Sequence, residues 1–163
     1  MNTFPHIGSI SEGTLLTADL IATFSSELGS LTVGTQTDEH FKLIGDCDTW
    51  LEQAEEYDDA DEPNDTFNAD GQDLLAALED ALGELAAPYT YFGTSDGDGA
   101  CFGFWPSIDS LEEDVRCGEV LKIDAGDEIP TDYFGYVMAV TDHGNVTLFC
   151  KSAAQTTEIW SCV

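Results

Sequence analysis

Residues 88–106 read PYTYFGTSDGDGACFGFWP, and this stretch marks where one structural vocabulary gives way to another. Pro88 cannot continue a helix, because it lacks the backbone N–H and its ring clashes with the preceding turn. Tyr89 to Phe92 and Cys101 to Trp105 are short aromatic runs, the composition of strands. The glycine-rich segment Thr94 to Gly99 between them supplies the turn of a β-hairpin.

Upstream of Pro88 the apolar residues recur at helical spacing. Thr17 is placed to cap a helix running to about Leu28, with Leu20, Ile21, Phe24 and Leu28 on one stripe and the segment Gly29 to Gly34 closing it. A second helix is expected from about Thr37 to Tyr57. There Leu43, Ile44, Cys47, Trp50, Leu51 and Ala54 share one face, and Gly45 marks a candidate break. Residues 58–70, DDADEPNDTFNAD, have loop composition. Asp70 then reads as the cap of a third helix to about Ala86, burying Leu74, Leu75, Leu78, Leu82 and Leu85.

Downstream the pattern stays short and β-rich. One or two helical turns are expected over Ser107 to Val115, and a short strand over Glu119 to Ile123. A second hairpin is expected from Tyr133 to Thr141 and Asn145 to Lys151 around Asp142-His-Gly-Asn145, with an edge strand at Thr157 to Cys162. The expected fold class is therefore α+β, with three N-terminal helices packed on an antiparallel sheet of five or six strands. A length of 163 residues suits a single domain spanning 1–163, helical and acidic to about residue 87 and hairpin-rich from 88.

Composition sets the functional frame. No run approaches the roughly 18 apolar residues of a membrane span, and residues 1–10 lack a basic segment followed by an apolar one. Five cysteines, an odd number with no C-x-x-C pair, read as reduced thiols of a cytoplasmic protein. The chain carries 33 Asp and Glu against Lys42, Lys122, Lys151 and Arg116, a formal net charge of −29. A domain of this length is about 40 Å across, and duplex DNA of that length carries about 24 charges. The two totals are similar, so such a surface can present a DNA-like field.

The charge is also unevenly placed along the chain. Residues 38–84 hold 17 acids and one base, a net charge of −16. On the second helix Asp48, Glu52, Glu55, Glu56 and Asp59 fall within about 100° of arc, opposite the apolar stripe. With Asp46, and with Asp58, Asp61, Glu62 and Asp65 of the following loop, they form one acidic ridge over residues 46–65. Like-charge pairs at helical spacing each destabilise by about 0.2–0.5 kcal/mol, and a lysine or arginine at an exposed position would relieve them. A face that forgoes this relief fits a surface read by a basic partner.

Chemistry is much less visible. The sequence has no phosphate-binding loop, nucleophile elbow, H-E-x-x-H motif or dinucleotide fingerprint. A Cys–His pair assembled from His143 with Cys101 or Cys150 competes with the simpler role of such cysteines as small buried hydrophobes. Asp96-Gly-Asp98-Gly resembles a fragment of a calcium loop, but Ala100 and Ser107 stand where that loop requires an oxygen ligand and a bidentate glutamate. Counted from Asp59, the required glycine is Asn64. Neither a catalytic residue, a metal site nor a cofactor is expected. With so few basic residues, direct binding to nucleic acid or to an anionic membrane is disfavoured.

The stretches Tyr89 to Pro106 and Thr141 to Leu148 (TDHGNVTL) resemble segments of small uncharacterised acidic proteins of phages, plasmids and bacterial genomes, over less than a third of the chain. That resemblance implies a mobile-element setting and lends no catalytic residue. The expected function is a nucleic-acid mimic that occupies the basic groove of a DNA- or RNA-binding protein, an anti-restriction or anti-CRISPR inhibitor being the form suited to that setting. The alternatives are an immunity- or antitoxin-like partner of one basic protein, and a halophilic protein with an unrelated activity.

Overall fold

A computed structural model describes residues 4–57 and 65–162. In chain order the elements are β1 (Gly8–Glu12), α1 (Thr17–Leu31), α2 (Asp38–Tyr57), α3 (Asp65–Glu84), β2 (Thr90–Ser95), β3 (Asp98–Pro106), α4 (Ile108–Cys117), β4 (Val120–Asp124), β5 (Gly135–Val140), β6 (Val146–Lys151) and β7 (Thr156–Cys162). The fold is α+β, as expected, but its strands form two sheets: β1-β3-β2 and β4-β5-β6-β7. The chain divides into two compact units. One comprises residues 8–86 and 92–104, and the other residues 1–7, 87–91 and 105–163.

In the first unit, α1, α2 and α3 share an apolar core with the β-hairpin. Leu20, Ile21, Phe24 and Leu28 of α1, Cys47 and Trp50 of α2, Leu75, Leu78 and Leu82 of α3, and Phe102 and Phe104 of β3 are all buried in it. Phe24 is the hinge of this packing. Its ring meets Phe92 edge-on at 5.0 Å and Phe102 at 5.4 Å, the T-shaped geometry that aromatic quadrupoles favour. The hairpin turns at Asp96-Gly97, where Gly97 has φ 95°, and the Asp98 carboxylate accepts the Ala100 N–H at 2.9 Å.

Strand β1 has no counterpart in the sequence reading. It pairs antiparallel with β3, placing Ser9 opposite Gly103. A Cβ at residue 103 would fall onto the carbonyl of Gly8, so a glycine there is what lets the two backbones close. The helix boundaries also move. Gly29 lies inside α1, and α2 continues through Gly45 without a break. Helix α3 begins at Asp65, so Asp70 is an interior residue and not a cap. Thr17 opens α1 from inside, the cap position being Leu16, whose N–H is accepted by the Thr14 hydroxyl at 3.2 Å.

In the second unit, Leu111 of α4 packs with Val120, Met138, Val146, Leu148 and Trp160 of the four-stranded sheet. Trp160 donates its indole N–H to the Pro88 carbonyl at 2.8 Å. Helix α4 ends at Gly118, left-handed at φ 82°, and the following Glu119 N–H closes on the Asp114 carbonyl at 2.9 Å. That is the usual economy of a helix terminus.

This sheet is not wholly antiparallel: β4 runs parallel to β5, while β5, β6 and β7 alternate. The segment between residues 124 and 135 carries the chain from β4 to β5 and is braced by two side chains. The Tyr133 hydroxyl accepts the Leu121 N–H at 3.1 Å and donates to the Tyr136 carbonyl at 2.7 Å. The Lys151 ammonium holds the Ile129 carbonyl at 3.2 Å and also reaches that of Pro130. Strand β7 lies at a sheet edge, as expected.

Candidate partner-binding surface

The unit built on α1, α2 and α3 holds 22 of the 33 acids and a single base, Lys42, for a net charge of −21. The other unit carries −8. Because the core stripe of α2 faces α1 and α3, its opposite face is pushed outward. Asp48, Glu52 and Glu55 are exposed there, while Asp46, also exposed, sits on the flank that borders α3. Glu56 and Asp65 lie in α2 and α3, while Asp58, Asp59, Asp61 and Glu62 fall outside the described residues. Along α2 the acids at 46, 48, 52, 55 and 56 average about one per 4 Å of helix rise, in uneven steps of about 1.5–6 Å, a linear density near that of one phosphate per about 3.4 Å along one DNA strand.

Helix α3 adds a second acidic face outside the candidate ridge of residues 46–65. Asp70, Asp73, Asp80 and Glu84 lie within about 80° of arc, and all four are exposed. Asp73, Asp80 and Glu84 stand at helical spacing in the sequence, and Asp70 joins them because α3 starts before it. Of all the acidic side chains described, only Glu27, Glu79 and Asp114 are even half-buried. Burial, with the neighbouring Asp80 charge as a smaller cause, pushes the Glu79 carboxyl above its ordinary range.

Almost nothing neutralises these faces from within. Two ion pairs occur among the described residues. Lys42 reaches Asp46 one turn along α2 at 2.6 Å, and Arg116 reaches Glu113 on α4. Both pairs are exposed and local, a type worth about 0–1 kcal/mol. The hydrogen bond to Asp46 and its charge raise the Lys42 ammonium above its usual value, so this cation stays charged.

Between α2 and α3 lies an open groove of about 490 Å³. Leu43, Trp50, Leu74 and Ala77 give it apolar walls, and Asp46, Asp70 and Asp73 supply carboxylates, with Lys42 at the same mouth. Its shape depends on Trp50, whose indole stacks on Phe67 at 4.6 Å and 6° and donates its N–H to the Phe67 carbonyl at 3.1 Å. Larger apolar side chains also stand exposed in this unit: Leu15, Leu16, Val33 and Phe41. On the α2 wheel Phe41 shares the face of Asp48, Glu52 and Glu55.

No family model, curated protein or solved structure matches the chain.

The remaining candidate chemistry has little support in the geometry. Among the described residues, no group of three or more His, Cys, Asp or Glu side chains is arranged to hold a metal ion. All five cysteines are free thiols. Cys47 is buried in the helical core, and its thiol is pushed up to about 11, chiefly by burial and secondarily by Asp48 and Asp46. A thiol held in that state is a poor nucleophile. His143 is exposed in the β5–β6 turn, and Cys150 is half-buried on β6. No helix among the described residues is long and apolar enough to cross a membrane.

Proposed function

We propose that this protein is an acidic inhibitor whose α2–α3 faces stand in for nucleic acid in the basic groove of a DNA- or RNA-binding protein. One observation carries the reading. A unit with a net charge of −21 exposes the acidic faces of two helices, and its single base is already tied to Asp46. Repulsion of this kind costs stability, while a basic partner converts it into fast, salt-sensitive association. Restriction enzymes, CRISPR effectors and nucleoid or regulatory proteins all offer such a groove.

The test is capture from bacterial lysate on immobilised protein, beside a variant with Glu52, Glu55, Glu56 and Asp59 changed to Lys. Nucleic-acid-binding proteins should be held by the wild type, lost by the folded variant and displaced by duplex DNA. A captured partner that DNA does not displace contradicts mimicry.

That second outcome has an observation in its favour. Phe41 is 59% exposed on the acidic face of α2, and an aromatic anchor surrounded by charge suits recognition of one particular protein. In an immunity- or antitoxin-like complex, Phe41→Ala would abolish binding as thoroughly as charge reversal. In a mimic, Phe41→Ala would weaken binding far less than charge reversal.

A further inference from the structure

The charged faces explain attraction to a basic surface, but they do not distinguish one cation from another. The groove between α2 and α3 does. Its volume of about 490 Å³ lies within the roughly 300–1,000 Å³ of sites that bind small ligands. Leu43, Leu74, Ala77 and Trp50 form apolar walls, and the lining also holds Asp46 of α2 with Asp70 and Asp73 of α3. Lys42 is already paired with Asp46 at 2.6 Å. Among the described residues no cation reaches Asp70 or Asp73. The groove therefore combines hydrocarbon surface with carboxylates short of counter-charge.

From this combination we infer that the groove seats an arginine side chain of the basic partner. The inference rests on the partner being basic, not on its displacement by DNA. The physical fit is particular to arginine. Its methylene stem covers apolar surface while its head stays polar. The guanidinium is planar and weakly hydrated, and pairs with carboxylates through two parallel N–H donors. A lysine ammonium brings the same charge but holds its water more strongly and lacks the planar fork. The groove thus adds selectivity for arginine to an otherwise general attraction for positive charge.

The test uses the full chain, isotopically labelled, titrated with acetylated tetra-arginine amide and, separately, acetylated tetra-lysine amide. The Trp50 indole N–H resonance reports occupancy of the groove. The arginine peptide should shift that resonance and bind three- to tenfold more tightly than the lysine peptide. Ala77→Leu fills the groove without altering charge and should erase the preference. The paired change Asp70→Asn and Asp73→Asn, at exposed positions, should also reduce it if the leucine variant proves misfolded. Equal affinity for the two peptides overturns the inference, as does a folded Ala77→Leu protein that keeps the arginine preference. Either result leaves the DNA-competition test of mimicry standing. A partner that DNA fails to displace would conversely leave the peptide result intact.

Discussion

The indole of Trp50 lies so close to the Cα of Gly71 that a methyl group on residue 71 would overlap the ring. Trp50 is fixed from the other side by its stack on Phe67, so it has no room to withdraw. This contact joins α2 to α3 at the wall of the groove, and it gives an interior helix glycine a steric reason to exist.

Gly71→Ala should therefore destabilise the protein by about 1–2 kcal/mol. Overpacking costs about 1–3 kcal/mol, which exceeds the gain of up to about 1 kcal/mol that alanine brings to a helix interior. Gly45 is the control. Nothing lies within 4 Å of a Cβ built there, so Gly45→Ala should stabilise by about 0.5–1 kcal/mol. Urea melts of the two variants check the opposite signs, and stabilisation by both would mean that α2 and α3 are not this close.

Tyr133→Phe tests the parallel pairing of β4. The hydroxyl bridges the Leu121 N–H and the Tyr136 carbonyl, and its loss leaves two half-buried backbone groups short of a partner. A cost of about 1–2 kcal/mol is expected, together with faster hydrogen exchange at the Leu121 amide. An unchanged exchange rate would show that this bridge does not hold β4 in place.

These contacts explain what could and could not be read from the chain. The helical stripes of α1 and α2, both hairpins and the edge position of β7 rest on local periodicity and turn chemistry, which a sequence displays. The direction of β4 does not. A short apolar strand looks alike in either direction, and the contacts that brace the parallel arrangement, from Tyr133 to Leu121 and from Lys151 to Ile129, span many residues. Strand β1 was hidden because five residues, GSISE, carry little strand propensity and pair through the close approach at Gly103. The acidic ridge of α2 was legible as far as Glu55, because a helical wheel needs only spacing. On α3 the same spacing shows Asp73, Asp80 and Glu84, and only the place of Asp70 depends on where the helix starts; the groove required both helices at once.

The pH response should lean toward acid. Burial raises the Glu79 carboxyl above its ordinary range, so the native state takes up this proton before the unfolded chain does. The resulting stabilisation is fully present below the unfolded carboxylate value of about 4.3 and is lost as pH rises through the raised native value. Self-repulsion of a chain with net charge −29 acts in the same direction. At the alkaline end, the Cys47 thiol at about 11 and the raised Tyr89 and Tyr136 hydroxyls keep their protons longer in the fold. Stability held below about pH 9 is therefore lost progressively above it. Thermal melts from pH 4.5 to 10.5 should show a higher Tm near pH 5 than at pH 7. Glu79→Gln should raise the value at pH 7 and flatten that rise. Salt separates this behaviour from halophilic adaptation: screening should raise Tm modestly between about 0.02 and 0.5 M NaCl and then level off. A protein that folds only in molar salt would instead show that its carboxylates serve hydration, and recognition of a basic partner would lose its main support.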